Sequence, residues 1–504
     1  MRFSIAHTRI SAKPVARRDG LALEALLGLG LLVAALLIIF AGGYGYHRDE
    51  LYFLVAGEHL AWAYPDQGPL TPLLAHVMES IAPGSLTVLR IPSALMAAGT
   101  VILTGLISFE FGGRRRAQLI AAGCASVASV VLISGHLLST TTFDLLAWSL
   151  VTWLITRAIR TDEQRLWTVA GAVAGLALLN KPLIAFLLIA LGVGLVSVGP
   201  RRALRSGWPW AGLLLALAIW SPWLLWQSAH GWPQVKVSSA IAHGGSASSQ
   251  PRWALLPFQF LLISPVLAPV WIAGLVALMR DWRLRSFRFF AVAWLVLVLI
   301  FLATGGKPYY LAGMFPVLLG AGAAPVDRWL ERGRRRLRSV CLAVAIGLSG
   351  VVSALIALPI LPERDAGAAI AANADVGETI GWPQFARTVA QVYRNAGRSA
   401  VIFTANYGEA GAIDRYGAAL GLPHAYSGHN AVGLWGPPPD RLSPVVVVGL
   451  TGADLTSHFR GCRLAARIDD SAGIENDERG VPVDICASPR GPWSHIWSSL
   501  RHLG

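Results

Sequence analysis

The sequence predicts an all-α polytopic membrane protein of about eleven transmembrane helices, with interfacial helices in its first outer loop, plus a small C-terminal α/β extracytoplasmic domain. Three observations carry this. Hydrophobic residues make up 54% of the 504 and charged residues only 14%, whereas a soluble globular chain is nearer a quarter charged. Apolar runs of about the length needed to cross a bilayer recur between residues 21 and 360. Past residue 361 this pattern stops, and turn signals alternate with short runs that read as buried strands.

The first run extends from Leu21 to about Gly43 and holds no Asp, Glu, Lys or Arg from Ala25 to Tyr46. Arg2, Arg9, Lys13, Arg17 and Arg18 precede it. It is longer than a signal-peptide core and lacks a cleavage site, so it reads as a signal anchor behind a cytoplasmic arm, residues 1–20. Further spans fall at roughly 86–109, 117–135, 139–156, 166–180, 182–199, 208–227, 255–279, 289–304, 308–325 and 339–360. The loops between them alternate in charge. One set comprises the N-terminal arm, Arg114 to Arg116, Arg157 to Arg165, Arg201 to Arg205, Arg280 to Arg288 and Arg328 to Arg338, all rich in arginine. The other set comprises 43–85, 135–139, Lys181, 227–254, Lys307 and everything past about 361, and its short loops are poor in basic residues. Arginine-rich short loops mark the cytoplasmic side. The chain therefore reads as a multi-pass protein of the inner (plasma) membrane, with its N-terminus cytoplasmic and its C-terminal domain outside. The same clusters account for the net charge of +14. They are scattered between spans and form no continuous basic groove, which excludes nucleic acid as the partner.

The first outer loop, 43–85, is long. DELYFLVAGEHLAW sets Leu51, Leu54, Val55 and Trp62 against Glu58 and His59, the pattern of a short amphipathic helix at the membrane surface. Pro65, Pro69 and Pro72 then interrupt regular structure, and Leu70 to Ile81 reads as a second interfacial helix. Together they form a helical cap over a membrane-embedded cavity.

In the tail, Ala400 to Phe403 and Val445 to Val448 read as buried strands and Glu409 to Leu420 as a helix. This alternation points to a small α/β domain, 361–504, beside a membrane module, 21–360. No GxGxxG or P-loop is present, so no nucleotide site is implied. Cys124 and Cys341 sit in apolar runs and read as packing residues. Cys462 and Cys486 lie in the polar tail, where an oxidising compartment would allow a disulfide.

Ionisable side chains at the mouths of membrane helices are costly to desolvate and mark functional sites. Asp49 and Glu50 follow the first span. A helix turns about 100° per residue, so the two face different ways: one of them reads as a general base and its neighbour as structural support. At a helix start, acids also complement the dipole, which is the bland alternative. Asp144, in STTTFDLLAWSL, lies inside the outer mouth of the fourth span and asks for a polar cavity or a buried cation. Lys181 and Lys307 are lone cations at outer span ends beside prolines; each alone could snorkel to lipid headgroups. With Arg90 near the outer end of the second span, they share the face of the acids and suit a phosphorylated lipid. Histidines 47, 59, 230 and 243 show no fixed ligand spacing, so no metal site is assigned, although a divalent metal stays open.

Taken in order, HRDELYFLVAGEHLAW, DQGPLTPLLA, RIPSAL, TTTFDLLAW, GLALLNKP and GGKPYYLAGMFPVLLGAG resemble the bacterial glycosyltransferase family 39. That family includes the protein O-mannosyltransferases, is similar to the lipid A aminoarabinose transferases and has the GT-C fold. The resemblance spans about residues 30–325. In the tail, SGHNAVGLWGPPPD (427–440) is similar to a segment of close bacterial relatives. The resemblance implies transfer of a sugar from a polyprenyl-phosphate donor to an acceptor hydroxyl, with inversion. It casts Asp49 as the base, Asp144 as the second acid and Lys307 as a cation near the lipid phosphate, with Lys181 as a further cation. Some relatives carry Glu-Lys-Pro where this chain has Asp66-Gln67-Gly68-Pro69; Gln67 lacks the lysine charge, so Lys181, Lys307 or Arg90 must supply it. Glu50, Asp66, Gln67, Arg90, Lys181, Lys307, Tyr309 and Tyr310 form the expected substrate-binding set. The acceptor is a lipid, a glycan or a protein. A lipid or small-molecule transporter is the rival reading, but the chain shows no internal repeat and its charges gather at one face, not at mid-depth. A non-catalytic membrane scaffold is a third reading and would not need Asp144 inside a span.

Overall fold

The computed structural model describes residues 20–244, 249–397, 399–469 and 473–504. The basic N-terminal arm, with Arg2, Arg9, Lys13, Arg17 and Arg18, lies outside them. The chain is a multi-pass membrane protein, mostly helical, with a small sheet domain at its C-terminal end.

Among the described residues, six helices are long and apolar enough to cross a membrane: Leu23–Phe40, Leu86–Glu110, Thr140–Thr161, Trp208–Ala229, Pro308–Glu331 and Arg335–Ala357. Two expected spans are not continuous helices. The 117–135 run becomes Arg115–Ser126 and Ser129–His136, bent by 55°, and the 255–279 run becomes Arg252–Ile263 and Pro265–Arg280, bent by 88°. The second break falls at Ser264, whose φ of 112° precedes a proline that offers no N–H to continue the helix. Counting each bent pair as one span gives up to eight. Leu166–Leu178, Ile184–Val198 and Phe289–Thr304 are shorter. At 1.5 Å per residue they fall below the roughly 30 Å of a hydrocarbon core, so the described residues do not confirm the expected eleven full spans.

The helices pack through small residues where lipid offers no hydrophobic drive. Helix Leu166–Leu178 meets Trp208–Ala229 at Gly171 and Gly212, where a Cβ on Gly171 would stand 2.1 Å from the Gly212 carbonyl oxygen. Cys124 is buried, as expected, but Cys341 is exposed on Arg335–Ala357.

The loop 43–85 forms two helices, Arg48–Glu58 and Leu70–Ile81. The second presents Leu73, Val77 and Ile81 as an exposed apolar row, the pattern expected of a helix at a membrane surface. The first differs from expectation. Its Leu51, Tyr52, Phe53 and Val55 are buried, and Leu51 packs directly on Gly411 of the tail helix Tyr407–Gly417.

The tail carries a five-stranded sheet. Val401–Thr404 pairs in parallel with both Ala425–Ser427 and Val445–Val448; the latter pairs antiparallel with Pro482–Cys486, which pairs antiparallel with Arg463–Arg467. Both expected strands are present and fully buried, as continuous β-branched runs covered on both faces should be. Cys462 and Cys486 are joined in a disulfide. One hydrophobic core unites loop and tail: Tyr46, Leu51, Tyr52, Ala56 and Tyr64 with Trp382, Phe385, Val389, Ile413 and Val446.

Candidate active site

The capping residue of Arg48–Glu58 sets the fate of the two adjacent acids. His47 accepts the Asp49 N–H through Nδ1, and the Glu50 carboxylate accepts the His47 N–H at 2.8 Å, a capping box. This turns Glu50 inward. It receives Arg90 through Nε at 2.8 Å and Nη2 at 2.7 Å, and the Leu138 N–H at 2.8 Å. Arg90 also donates to the carbonyls of Ala41 and Gly45, both at 2.8 Å. Glu50 is 0% and Arg90 1% exposed. The pair ties the end of the first span, the loop and the second span together, and neither residue lines the cleft described next.

Asp49 points the other way, into an open cleft of about 230 Å³. Seven of the residues singled out in the sequence meet there: Asp49, Asp66, Gln67, Lys181, Lys307, Tyr309 and Tyr310. Arg48, Tyr52, Gln234, Tyr407, His429 and Asn430 also contribute to the polar wall. Burial pushes the Asp49 carboxyl up, but His47, Arg48, the Tyr407 hydroxyl and Lys307 outweigh it and hold the group below the ordinary carboxylate value. It is the ionised acid of the cleft. Asp66 is the opposite case: burial dominates and lifts it to about 6, despite hydrogen bonds from the Tyr52 hydroxyl at 2.8 Å and Asn430 Nδ2 at 3.1 Å. Burial, followed by the like charge of Lys181, lowers Lys307 to about 8.

A backbone device presents Asp66 and Gln67. The Tyr64 N–H donates to the Gln67 carbonyl, closing a turn, and the Gly68 N–H donates to the Asn180 carbonyl at 3.0 Å. The chains approach so closely that a Cβ on Gly68 would stand 1.8 Å from the Leu179 carbonyl oxygen. Gln67 is buried, and its Nε2 has no hydrogen-bond partner among the described residues. The Lys181 ammonium lies over the faces of Tyr309 and Tyr310, 5.4 and 5.1 Å from their centroids.

Asp144 does not join Asp49 in the cleft. Thr140 lines the cleft, and Asp144 lies one turn deeper on the same helix, in a separate small cavity behind Tyr309 and Tyr310. Its Oδ1 accepts Asn180 Nδ2 at 3.4 Å, and its Oδ2 has no partner among the described residues. Asn180 also receives the Thr71 hydroxyl at 2.7 Å and donates to the Thr140 carbonyl at 2.9 Å. Among the described residues no three His, Cys, Asp or Glu side chains converge as a metal-holding group. Both oxygens of Asp66 are engaged by Tyr52 and Asn430.

Sequence reasoning missed Arg48, Tyr52, Asn180, Gln234, Tyr407, His429 and Asn430 as cleft or support residues. Asn180 and Asn430 stand inside motifs already singled out, GLALLNKP and SGHNAVGLWGPPPD. Tyr407 had no local signal, since its partner Asp49 is 358 positions away.

The model of the dolichyl-phosphate-mannose-protein mannosyltransferase family matches residues 66–226. Among solved structures, ArnT from Cupriavidus metallidurans bound to undecaprenyl phosphate matches with a TM-score of 0.58 at 15% identity, over 92% of this chain and 98% of that one. Its apo state matches with a TM-score of 0.58 at 14% identity over the same shares. The Archaeoglobus fulgidus oligosaccharyltransferase tethered with an acceptor peptide matches with a TM-score of 0.47 at 12% identity, over 77% of this chain and 62% of that one. No curated protein matches in sequence. The chain therefore has the GT-C fold of ArnT over nearly its whole length, and the resemblance to glycosyltransferase family 39 read from its motifs is met by the mannosyltransferase family match across 66–226.

Proposed function

We propose that this chain is a membrane glycosyltransferase that moves a sugar from a polyprenyl-phosphate donor to an acceptor hydroxyl on the outer side of the membrane, with inversion. The observation that carries this reading is the cleft itself, where an ionised Asp49 faces Lys307 and Lys181. The family match across 66–226 and the fold shared with ArnT, a protein solved with undecaprenyl phosphate bound, support it. Asp49 takes the acceptor proton as that oxygen attacks the anomeric carbon, and the phosphate departs from the opposite face. A phosphate leaving group needs fixed cations and no general acid, and Lys307, Lys181 and Arg48 supply them. Gln67 offers an amide N–H to the sugar or phosphate. Asp144 acts through Asn180, holding the turn that carries Asp66 and Gln67. Residues 21–360 form the membrane module and 361–504 the extracytoplasmic domain, with the N-terminus cytoplasmic.

Incubation of the purified protein with polyprenyl-phosphate sugars tests this. Release of free polyprenyl phosphate is expected, with Asp49→Asn losing roughly 10²- to 10⁴-fold in rate while folding normally. Movement of intact donor lipid across vesicles without release would instead establish the transporter reading.

A further inference from the structure

The proposed chemistry leaves the C-terminal domain without a task, yet Tyr407, His429 and Asn430 of that domain line the cleft. Tyr407 is the first residue of helix Tyr407–Gly417, whose start is fixed by a capping box between Asn406 and Glu409. Its ring is stacked 4.4 Å from Tyr52 and lies 4.5 Å from His429, with the Arg48 guanidinium 5.6 Å over its face. Held in this way, the Tyr407 hydroxyl donates to Asp49 Oδ1 at 2.8 Å. On the neighbouring loop Asn430 adopts a left-handed φ of 47° and donates to Asp66 Oδ2. The Ala431 N–H donates to the Tyr52 hydroxyl, which in turn donates to Asp66 Oδ1. Each acid of the cleft is thus held by a residue that the tail supplies.

We propose that Tyr407 is the positioning residue of the base: its hydroxyl fixes Oδ1 of Asp49 so that Oδ2 meets the acceptor hydroxyl, which makes the C-terminal domain a working part of the active site. This rests on the assignment of Asp49 as the base. The groups that face Asp49 are His47 and Arg48 from its own helix start, Asp66 from the loop, Lys307 and Tyr309 from the start of the 308–331 helix, and Tyr407 and His429 from the tail. Asp375 faces His47 and Lys307. Burial and the Asp49 charge push the Tyr407 phenol well above its ordinary value, so it remains a donor throughout the working range. A donor to the ionised carboxylate favours that form, and its removal raises the pH at which the base becomes available.

Tyr407→Phe keeps the ring and its stacking and deletes the O–H. The acidic limb of the kcat/KM profile is expected to move up by about one pH unit, equivalent to one hydrogen bond to a charged group, with kcat down roughly tenfold and donor KM unchanged. Replacing Tyr407 with 3-fluorotyrosine makes a stronger donor and is expected to move the same limb down. A structural role alone would not produce displacements of opposite sign, and the fluorinated protein decides the matter if Tyr407→Phe does not fold. An unmoved limb in the folded variants overturns the proposal. So does a rise in kcat with a fall in acceptor KM, which would show Tyr407 merely occupying the acceptor's place. Asp49→Asn, assayed alongside, separates the two levels: activity there removes the base assignment itself, whereas an inactive Asp49→Asn beside an unmoved Tyr407→Phe limb removes only the role of Tyr407.

Discussion

Asp49 and Glu50 show how far one residue of helical rotation separates two carboxylates. Glu50 accepts four donors and meets its cation in full burial, so its charge is spent on architecture. Breaking a buried pair by removing one partner costs about 3–5 kcal/mol, because the other charge is left uncompensated. Arg90→Met is therefore expected to lower the thermal midpoint of the purified protein sharply, while the folded fraction keeps its donor KM. Lys307 belongs to the opposite class. With its ammonium lowered to about 8, it carries its charge below that pH and loses it above. Donor KM is expected to rise as pH passes 8 in the wild type. In Lys307→Arg, whose guanidinium stays charged, this rise should vanish, and Lys307→Ala should show a high donor KM at every pH with acceptor KM little changed. A steady-state pH series on the three proteins checks this.

At the scale of elements, two chain segments meet backbone on backbone where the turn at 64–68 lies against Leu179 and Asn180. Gly68→Ala forces these segments apart, since its Cβ would overlap the Leu179 carbonyl. Loss of most activity with the protein still inserted is the expected outcome, measured by polyprenyl-phosphate release. The sequence was a good guide where the pattern is local. Prolines bounded helix Leu70–Ile81, and β-branched runs marked the strands Val401–Thr404 and Val445–Val448. Lone charges beside apolar runs exposed Asp49, Lys181 and Lys307. It was a poor guide where pairing is distant. Nothing near Arg90 announces that a carboxylate 40 positions away will bury it. The bend at Val127 and Ala128 has no proline to signal it, whereas Pro265 directly after Ser264 marks the second bend in the sequence. Tyr407 is legible only once loop and tail are seen to share a core.

The whole molecule has two chemically different ends. At one, Arg157 and Arg160 meet Glu110, Arg116 meets Asp327 at 3.2 Å and Arg328 meets Asp281 at 3.5 Å. The other end holds the cleft and the tail. The arginine-rich end is expected to face the cytoplasm. Single cysteines introduced at 115 and 440, with the exposed Cys341 replaced, provide the measurement: an impermeant thiol reagent added from outside should label 440 and leave 115 untouched. The core shared by loop and tail also bears on biogenesis. The ribosome finishes helix Arg48–Glu58 long before Trp382, Phe385 and Ile413 exist to cover it. Until those residues emerge, a nascent chain must shelter Leu51 and Tyr52 by other means, from lipid or from a chaperone. The proposed active site is therefore among the last things this polypeptide acquires, and a message truncated within the tail is expected to give an inserted protein without transferase activity.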